Sequence, residues 1–523
     1  MASRGSSTGS VNHQVNLDGA RRTAKGRARI RSSALWGFTV VSYVAFAVRS
    51  IGLSRSFELW VDEMLYTQLA QSVSHGQWPN LFGAPFFLHP PGSFLINAAV
   101  IRIFGISGSD MSMVYDLRWV NAILGAVTVG LAFLAVRQVA STGIAWMCAV
   151  LLAFDPFVLR NNSRVFIETP ATVFIIAGYI VLADGLRRKQ GRLSPWTLIF
   201  AGLLFGCSIF TKDIFIIMTI VPVILAGFWR DTLRWRDIGI ICGAAIAPYA
   251  SYLSLVSIDG FFDLWLKAKQ AGLERIIGLQ QTTGFNAPHA PSLLSRTIDQ
   301  AGQFGTSYVL LALCPVVAVI AVLSHDRSRR MIGLCAMTMG VYGIYIALFG
   351  TFEEQYGYGV MIASVLGLGV AYAELRERRP GREAWLRASC IILAVLTVGL
   401  GIRAEATPDD GFLQVRAWVQ AYLPANAHVA VTDSTGQWIF MDDPRFGAWP
   451  TALLMREHNA NYILTQSLPN SEGYDYAKPA MLEWLEAHAV AVFHFYGPTN
   501  GNTVLWYVKP SLLQQAAKAR IGS

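Results

Sequence analysis

The chain has 523 residues, of which 53% are hydrophobic and 14% charged, with a formal net charge of +9. A soluble chain carries about 25% charged residues, so the composition excludes an ordinary soluble globular protein and points to a polytopic helical membrane protein. The apolar runs are long and unbroken, which excludes a β-barrel built from alternating segments of roughly 10 residues.

Residues 1–33 form a Ser/Gly/Arg-rich tail with seven basic residues and one acid (Asp18), a net +6 of the total +9. Such a segment cannot bury a core and reads as disordered. A basic flank stays on the cytoplasmic side, so the tail acts on topology. Without a folded basic surface it gives no reason to expect nucleic-acid binding. The first apolar run, 35–53, has no small-residue cleavage site after it and reads as a signal anchor.

A membrane span needs about 20 mostly apolar residues. On that basis spans are expected near 35–53, 119–136, 142–159, 169–185, 196–211, 214–229, 237–257, 303–323, 331–350, 356–373 and 385–403, about eleven in all. With the N-terminus inside, the basic loops "LRRKQGR" (186–192), "WRDTLRWRD" (229–237), "HDRSRR" (325–330) and "ELRERRPGRE" (374–383) all fall on the cytoplasmic side. The segment "GSFLINAAVIRIFG" (92–105) is too short to span and reads as an interfacial helix. Residues 54–118 then form a long first outside loop, and residues 258–302 a second. The six cysteines lie inside apolar runs without CxxC spacing and read as buried hydrophobes. After about residue 404 short strands are expected at 428–433, 461–466, 489–496 and 503–509, separated by amphipathic helices. The expected organisation is a tail (1–33), a transmembrane catalytic domain (34–403) and a small soluble α/β domain (404–523) on the extracytoplasmic side of the plasma membrane.

The outside turns collect ionisable residues in otherwise apolar surroundings, and such residues are costly near a membrane. Carboxylates come from Asp62, Glu63, Asp155, Glu168, Asp213, Glu353 and Glu354, and cations from Arg118, Arg160, Arg164 and Lys212. A carboxylate can take a hydroxyl proton, and Arg or Lys can neutralise a departing phosphate. The set therefore suits group transfer from a phosphate leaving group to a hydroxyl. Several of these residues have plainer readings. Arg160, Asp155, Glu353 and Glu354 read as helix-end or ion-paired groups, and Lys212–Asp213 reads equally as a self-paired surface couple. Thr169 reads as the N-cap of the fourth span, with Pro170 in its first turn. In "DEMLY", helical geometry puts Asp62 and Tyr66 on one face and Glu63 about 100° away. His89, in "HPP" (89–91), has no His or Cys partner at metal spacing, so no metal and no cofactor is expected.

Five stretches then stand in register: "WVDEMLYTQLAQSVSHGQWP", "HPPGSFLINAAVIRIFG", "DLRWVNAILGAVTVGLAFLAVRQV", "DPFVLRNNSRVFIETPATVFIIAGYIV" and "GLLFGCSIFTKD". In that order they resemble the family 39 glycosyltransferases of the glycosyltransferase C clan, the relatives of the protein O-mannosyltransferases and of the lipid A aminoarabinose transferase. The resemblance implies a glycosyltransferase C-type fold and a polyprenyl-phosphate sugar as donor. It implies Asp62 as catalytic base with Glu63 beside it. It places Arg118, Arg164 and Lys212 on the donor phosphate. Glu168, Tyr66 and His89 are expected at the substrate. The expected activity is inverting transfer of a sugar to a hydroxyl of a protein, glycan or lipid at the extracytoplasmic face. A transporter or flippase for a lipid-linked saccharide is the alternative, and it would call for matching halves and mid-span charges.

Overall fold

A computed structural model describes residues 32–188, 193–229, 231–280, 283–288 and 290–522. The basic tail therefore lies outside the described residues up to position 31. The chain is predominantly helical. Helix α1 covers residues 32–50, followed by α2 (Val61–Ser74), α3 (Gly92–Phe104), α4 (Asp110–Val139), α5 (Thr142–Phe154), α6 (Pro156–Asn162), α7 (Glu168–Arg188) and α8 (Pro195–Thr211). Next come α9 (Ile216–Leu225), α10 (Trp235–Ile258), α11 (Phe262–Ile276), α12 (Leu293–Asp299), α13 (Ala301–Val322), α14 (Arg327–Leu348), α15 (Glu354–Arg378) and α16 (Glu383–Ala406).

Among the described residues, seven helical segments are long and apolar enough to cross a membrane: α4, α7, α10, α13, α14, α15 and the stretch Pro380–Tyr422 that contains α16. Helices α5 and α6 together meet the same test but bend by 64° at Asp155. That bend has a local cause. Asp155 caps α6, its carboxylate accepting from Phe157 N and Val158 N, and Pro156 opens the new helix. Helices α3 and α8 and the stretch Asp213–Phe228 are apolar but shorter. Helix α15 is the centre of the bundle, with 89% of its apolar window buried, whereas α10 keeps only 22% buried. The bundle core is aliphatic and alanine-rich around Phe133, Phe205 and Met361.

The last part of the chain folds over a five-stranded sheet. Its strands are β3 (Val429–Val431), β4 (Phe446–Gly447), β5 (Tyr462–Gln466), β6 (Val490–Gly497) and β7 (Gly501–Tyr507), in the order β4-β3-β5-β7-β6. A two-stranded hairpin of β1 (Asn80–Leu81) and β2 (Ala84–Pro85) lies earlier, between α2 and α3. In the large sheet β3 pairs parallel to β4 and β5, and β7 pairs antiparallel to β5 and β6. The four stretches expected to be strands are strands.

The sheet shares a core with the first outside loop. Val429, Val431, Leu464 and Leu505 from one sheet face pack in one cluster with Trp60, Met64, Tyr66 and Leu69 of α2 and its cap, with Phe94 of α3, and with Phe412 and Val415 of α17 (Gly411–Tyr422). A polar joint holds the same seam. Asp409 accepts from Thr499 N at 3.3 Å and from Glu58 N at 3.3 Å, and Glu58 in turn accepts from Phe412 N at 3.0 Å. Burial and the proximity of Asp409 raise the Glu58 carboxyl well above the usual carboxylate range. Helix α2 is thus held between the helical bundle and the sheet. The opposite sheet face packs on α19 (Ala452–Glu457), α21 (Pro479–His488) and α22 (Pro510–Lys518) through Ala430, Ile463 and Val508.

Candidate active site

The site begins at the first turn of α2. Trp60 is the N-cap in extended backbone, and Glu63 accepts its N–H at 3.2 Å. Glu63 does three further things. It accepts from Arg118 Nε at 2.9 Å and Nη2 at 2.7 Å, and from Val165 N at 2.9 Å. Both side chains of the pair are fully buried. Arg118 spends its remaining donors on three carbonyls, those of Leu53 (2.6 Å), Phe57 (2.9 Å) and Glu58 (3.3 Å). Glu63 and Arg118 therefore point into protein and lie off the cavity that Asp62 faces.

Asp62 and Tyr66, one helical turn apart, line a cavity of about 640 Å³. His89, Lys212, Arg275, Glu353, Gln355, Tyr356 and Tyr474 share that lining. The close approach of two elements brings His89 and Lys212 together. A Cβ on Gly92 would lie 2.7 Å from the Phe210 carbonyl oxygen, so only glycine lets the start of α3 rest on the end of α8. The ring of His89 packs edge-on to Tyr66, centroids 5.8 Å apart. Its Nδ1 is buried and has no hydrogen-bond partner among the described residues. Burial, with Lys212, Lys269 and Arg275 nearby, holds the imidazole well below its ordinary pKa, so it stays neutral.

The charges around the cavity pair off. Lys212 Nζ lies 2.7 Å from Glu168 Oε1, and both side chains are buried. Lys212 also sits 5.7 Å from the centroid of the Tyr356 ring. Lys269 pairs with Asp213 and donates to the Leu88 carbonyl at 2.8 Å. Arg275 pairs with Glu353 and donates to Thr283 Oγ1 at 3.0 Å. Three cations thus meet three carboxylates. Asp62 is left over, with no cation at ion-pair distance among the described residues and one hydrogen bond, from Gln355 Nε2 at 3.3 Å. Burial first, then Glu353, push its carboxyl up to about 7, against the pull of Lys212 and Arg275. A carboxylate with that pKa in a cavity suits a general base near neutral pH.

The remaining expected residues fall behind this layer. Glu168 stands in the first turn of α7 and reaches the cavity through Lys212. Because α7 starts at Glu168, Thr169 lies within its first turn and does not cap it. Arg164 is buried, donates to the Glu58 carbonyl at 3.1 Å, faces Glu354 Oε2 at 3.4 Å, and reaches Thr499 Oγ1 in the β6–β7 turn at 3.3 Å. It ties the sheet to the bundle and does not line the cavity. Lys212 and Asp213 do not pair with each other. Arg160 and Glu354 do form an ion pair, at 2.5 Å. Among the described residues no group of three or more His, Cys, Asp or Glu side chains is arranged to hold a metal ion.

Residues 95–265 match the family described as dolichyl-phosphate-mannose-protein mannosyltransferase. The overall fold is similar to ArnT from Cupriavidus metallidurans bound to undecaprenyl phosphate, with a TM-score of 0.54, 13% identity, and 90% of this chain and 97% of that chain covered. The family match spans residues 95–265 only, and the likeness to ArnT, at 13% identity, is one of overall fold. The Archaeoglobus fulgidus oligosaccharyltransferase in complex with Zn and sulfate is also similar, with a TM-score of 0.51, 13% identity, and 90% of this chain and 72% of that chain covered. No curated protein matches the chain. The matched mannosyltransferase segment runs from α3 into α11. It contributes His89's neighbour helix, Lys212 and the bent α5–α6 unit, while α2 with Asp62 precedes it and Tyr474 follows it.

Sequence reasoning missed Arg275, Lys269, Gln355, Tyr356 and Tyr474 as parts of the site. Lys269 and Arg275 sit on the amphipathic α11 in the second outside loop, where nothing local ties them to α2. Gln355 and Tyr356 follow the two glutamates of "FEEQYGYG" and carry a weak signal. Tyr474 stands in a turn of the C-terminal region, and only the packing of the sheet against α2 brings it in.

Proposed function

We propose that this glycosyltransferase moves a sugar from a polyprenyl-phosphate donor to an acceptor hydroxyl by a single inverting displacement, with Asp62 as general base. The observation that carries this reading is the unpaired Asp62, its carboxyl raised to about 7, in a cavity where every cation already has a carboxylate partner. Asp62 accepts the acceptor's proton. The freed oxygen bonds to the anomeric carbon as the bond from that carbon to the phosphate oxygen breaks. The electron pair leaves on the polyprenyl phosphate, a weak base that needs no general acid. Lys212, with Arg275 and Lys269, receives the phosphate charge. The aromatic faces of Tyr66, Tyr356 and Tyr474 and the neutral His89 bound the sugar.

In this reading Glu63 and Arg118 position the first turn of α2, and Arg164 positions the β6–β7 turn. Neither arginine contacts the donor. Helices α1, α5–α6, α8 and α9 join the seven long segments as membrane spans, eleven in all, with the N-terminus cytoplasmic. The cavity and the C-terminal sheet then face the outside, and the donor enters from the membrane past α9 and α11. The ArnT structure holds undecaprenyl phosphate in the same fold, which supports a donor of that chemistry.

The test is product stereochemistry. Purified chain is incubated with an axial-linked polyprenyl-phosphate sugar and its equatorial-linked anomer, and the glycoside is read by NMR. One anomer is consumed and yields the opposite configuration. A product that retains the donor configuration would overturn the single-displacement reading.

A further inference from the structure

A second cavity, about 880 Å³, opens on the C-terminal sheet, on the face turned away from α2. Its floor is apolar and flat: Trp506 and Val504 of β7, with Leu482 of α21 alongside. Trp506 Nε1 donates to Thr465 Oγ1 at 2.8 Å, which fixes the plane of the indole. The rim carries the side-chain amides of Asn470 and Asn502. Asn470 is 8% exposed, and its side-chain carbonyl oxygen has no hydrogen-bond partner among the described residues.

A buried amide oxygen without a partner is costly, and Asn470, which carries one, lines the cleft. It asks for a ligand rich in N–H or O–H donors. The charged lining residues are Asp475 and Glu486, and no Lys or Arg is among them, so a phosphate or a uronate finds no cation. A flat aromatic floor with amides at its edge matches a sugar ring, which offers an apolar face and a girdle of hydroxyls that amides both donate to and accept from. An extended peptide would instead add to a sheet edge, and this cleft lies on a sheet face.

The cleft also adjoins the transfer site. Gly473 and Asp475 line it, and Tyr474 between them lines the Asp62 cavity. Ser434 N donates to the Tyr474 carbonyl at 2.9 Å, which holds that segment against the sheet.

We infer that the cleft binds a neutral glycan chain, and that the hydroxyl acceptor of the transfer is carried on such a chain, which passes Tyr474 to reach Asp62. This rests on the transferase reading and names its acceptor class.

The experiment measures equilibrium binding by fluorescence anisotropy, with the full chain in nanodiscs. The probes are fluorescein-labelled neutral hexasaccharides of glucose, mannose, galactose and arabinose, with labelled hexagalacturonate and a labelled Ser/Thr-rich decapeptide beside them. At least one neutral hexasaccharide binds. Trp506→Leu weakens it tenfold or more, Trp506→Phe changes it less than threefold, and Ser471→Trp, which fills the mouth from the end of the short helix Ser467–Ser471, abolishes it. Asp62→Asn binds the glycan like wild type. If no neutral hexasaccharide binds, if hexagalacturonate or the decapeptide binds more tightly, or if Ser471→Trp leaves binding unchanged, the inference is wrong. In that event an intact Asp62-dependent turnover still leaves the transferase reading standing. Full turnover by Asp62→Asn would remove that reading while leaving glycan binding in place.

Discussion

Glu63 and Arg118 form a fully buried two-point ion pair, at 2.7 and 2.9 Å, that turns Glu63 away from the cavity its neighbour Asp62 lines. Two adjacent acids therefore have two environments, set by the 100° step of one helical residue. Glu63 also accepts the N–H of Val165, so a single carboxylate binds the start of α2, the head of α4 and the loop before α7.

Removing one partner of a buried pair leaves an uncompensated charge and costs about 3–5 kcal/mol. Glu63→Gln is expected to lower the thermal midpoint in detergent by several degrees, with activity lost in parallel with folded protein. Arg118→Met together with Glu63→Leu should recover much of that midpoint. A Glu63→Gln protein that is as stable as wild type yet inactive would instead put Glu63 in the chemistry.

The raised carboxyl of Asp62 gives a pH dependence. The base works only when ionised, so kcat/KM rises about tenfold per pH unit below 7 and levels off above it. The stability effect has the opposite sign. A carboxyl whose folded pKa lies above its unfolded value stabilises the fold at low pH, and that contribution is lost as pH rises from about 4 through 7. Asp62→Asn removes the cost of the buried charge, so at pH 8 it unfolds at the same temperature as wild type or higher. Turnover that is flat from pH 5 to 8 would exclude Asp62 as the titrating base.

Lys212 is paired with Glu168 and both are buried, so a single substitution mixes two effects. The double variant Lys212→Met/Glu168→Gln removes both charges at once. It is expected to fold and to bind polyprenyl phosphate about 10- to 100-fold more weakly, the loss of a hydrogen bond to a charged group worth about 1.5–3 kcal/mol. Wild-type affinity in that variant, measured by isothermal titration, would take Lys212 off the phosphate.

Gly92→Ala tests how the site is assembled. The new methyl would meet the backbone of Phe210 and Thr211 at 2.7–2.9 Å, and neither can swing aside. The "HPP" turn must move away from Lys212. The expected result is a several-fold rise in donor KM with stability lowered by about 1–3 kcal/mol, the usual cost of overpacking. An unchanged KM would show that the approach of α3 to α8 does not shape the cavity.

The parts of this molecule that were legible in the sequence are those written in local patterns. Apolar runs mark the bundle, alternating short runs mark the four longer strands, and the face shared by Asp62 and Tyr66 follows from helical periodicity. The family register also selected Asp62 and Lys212, and both line the cavity. What was hidden depends on contacts distant in sequence. Arg118 and Arg164 stand in the expected motifs, yet each is consumed by carbonyls and carboxylates from other elements, and no local pattern records that. Arg275 and Tyr474 reach the cavity only because α11 and the C-terminal sheet fold back over α2. The sheet looks like a separate domain by composition, and the core it shares with α2 appears only once Leu464 and Leu505 are seen against Met64 and Tyr66.

The central claim is that Asp62 takes the acceptor proton. Single-turnover transfer from a polyprenyl-phosphate sugar at pH 8, compared between wild type and Asp62→Asn with matched donor affinity, tests it most directly. The account predicts a fall in rate of about 10²- to 10⁴-fold with unchanged donor binding and an unchanged thermal midpoint or a higher one. A variant that transfers sugar at the wild-type rate would contradict it.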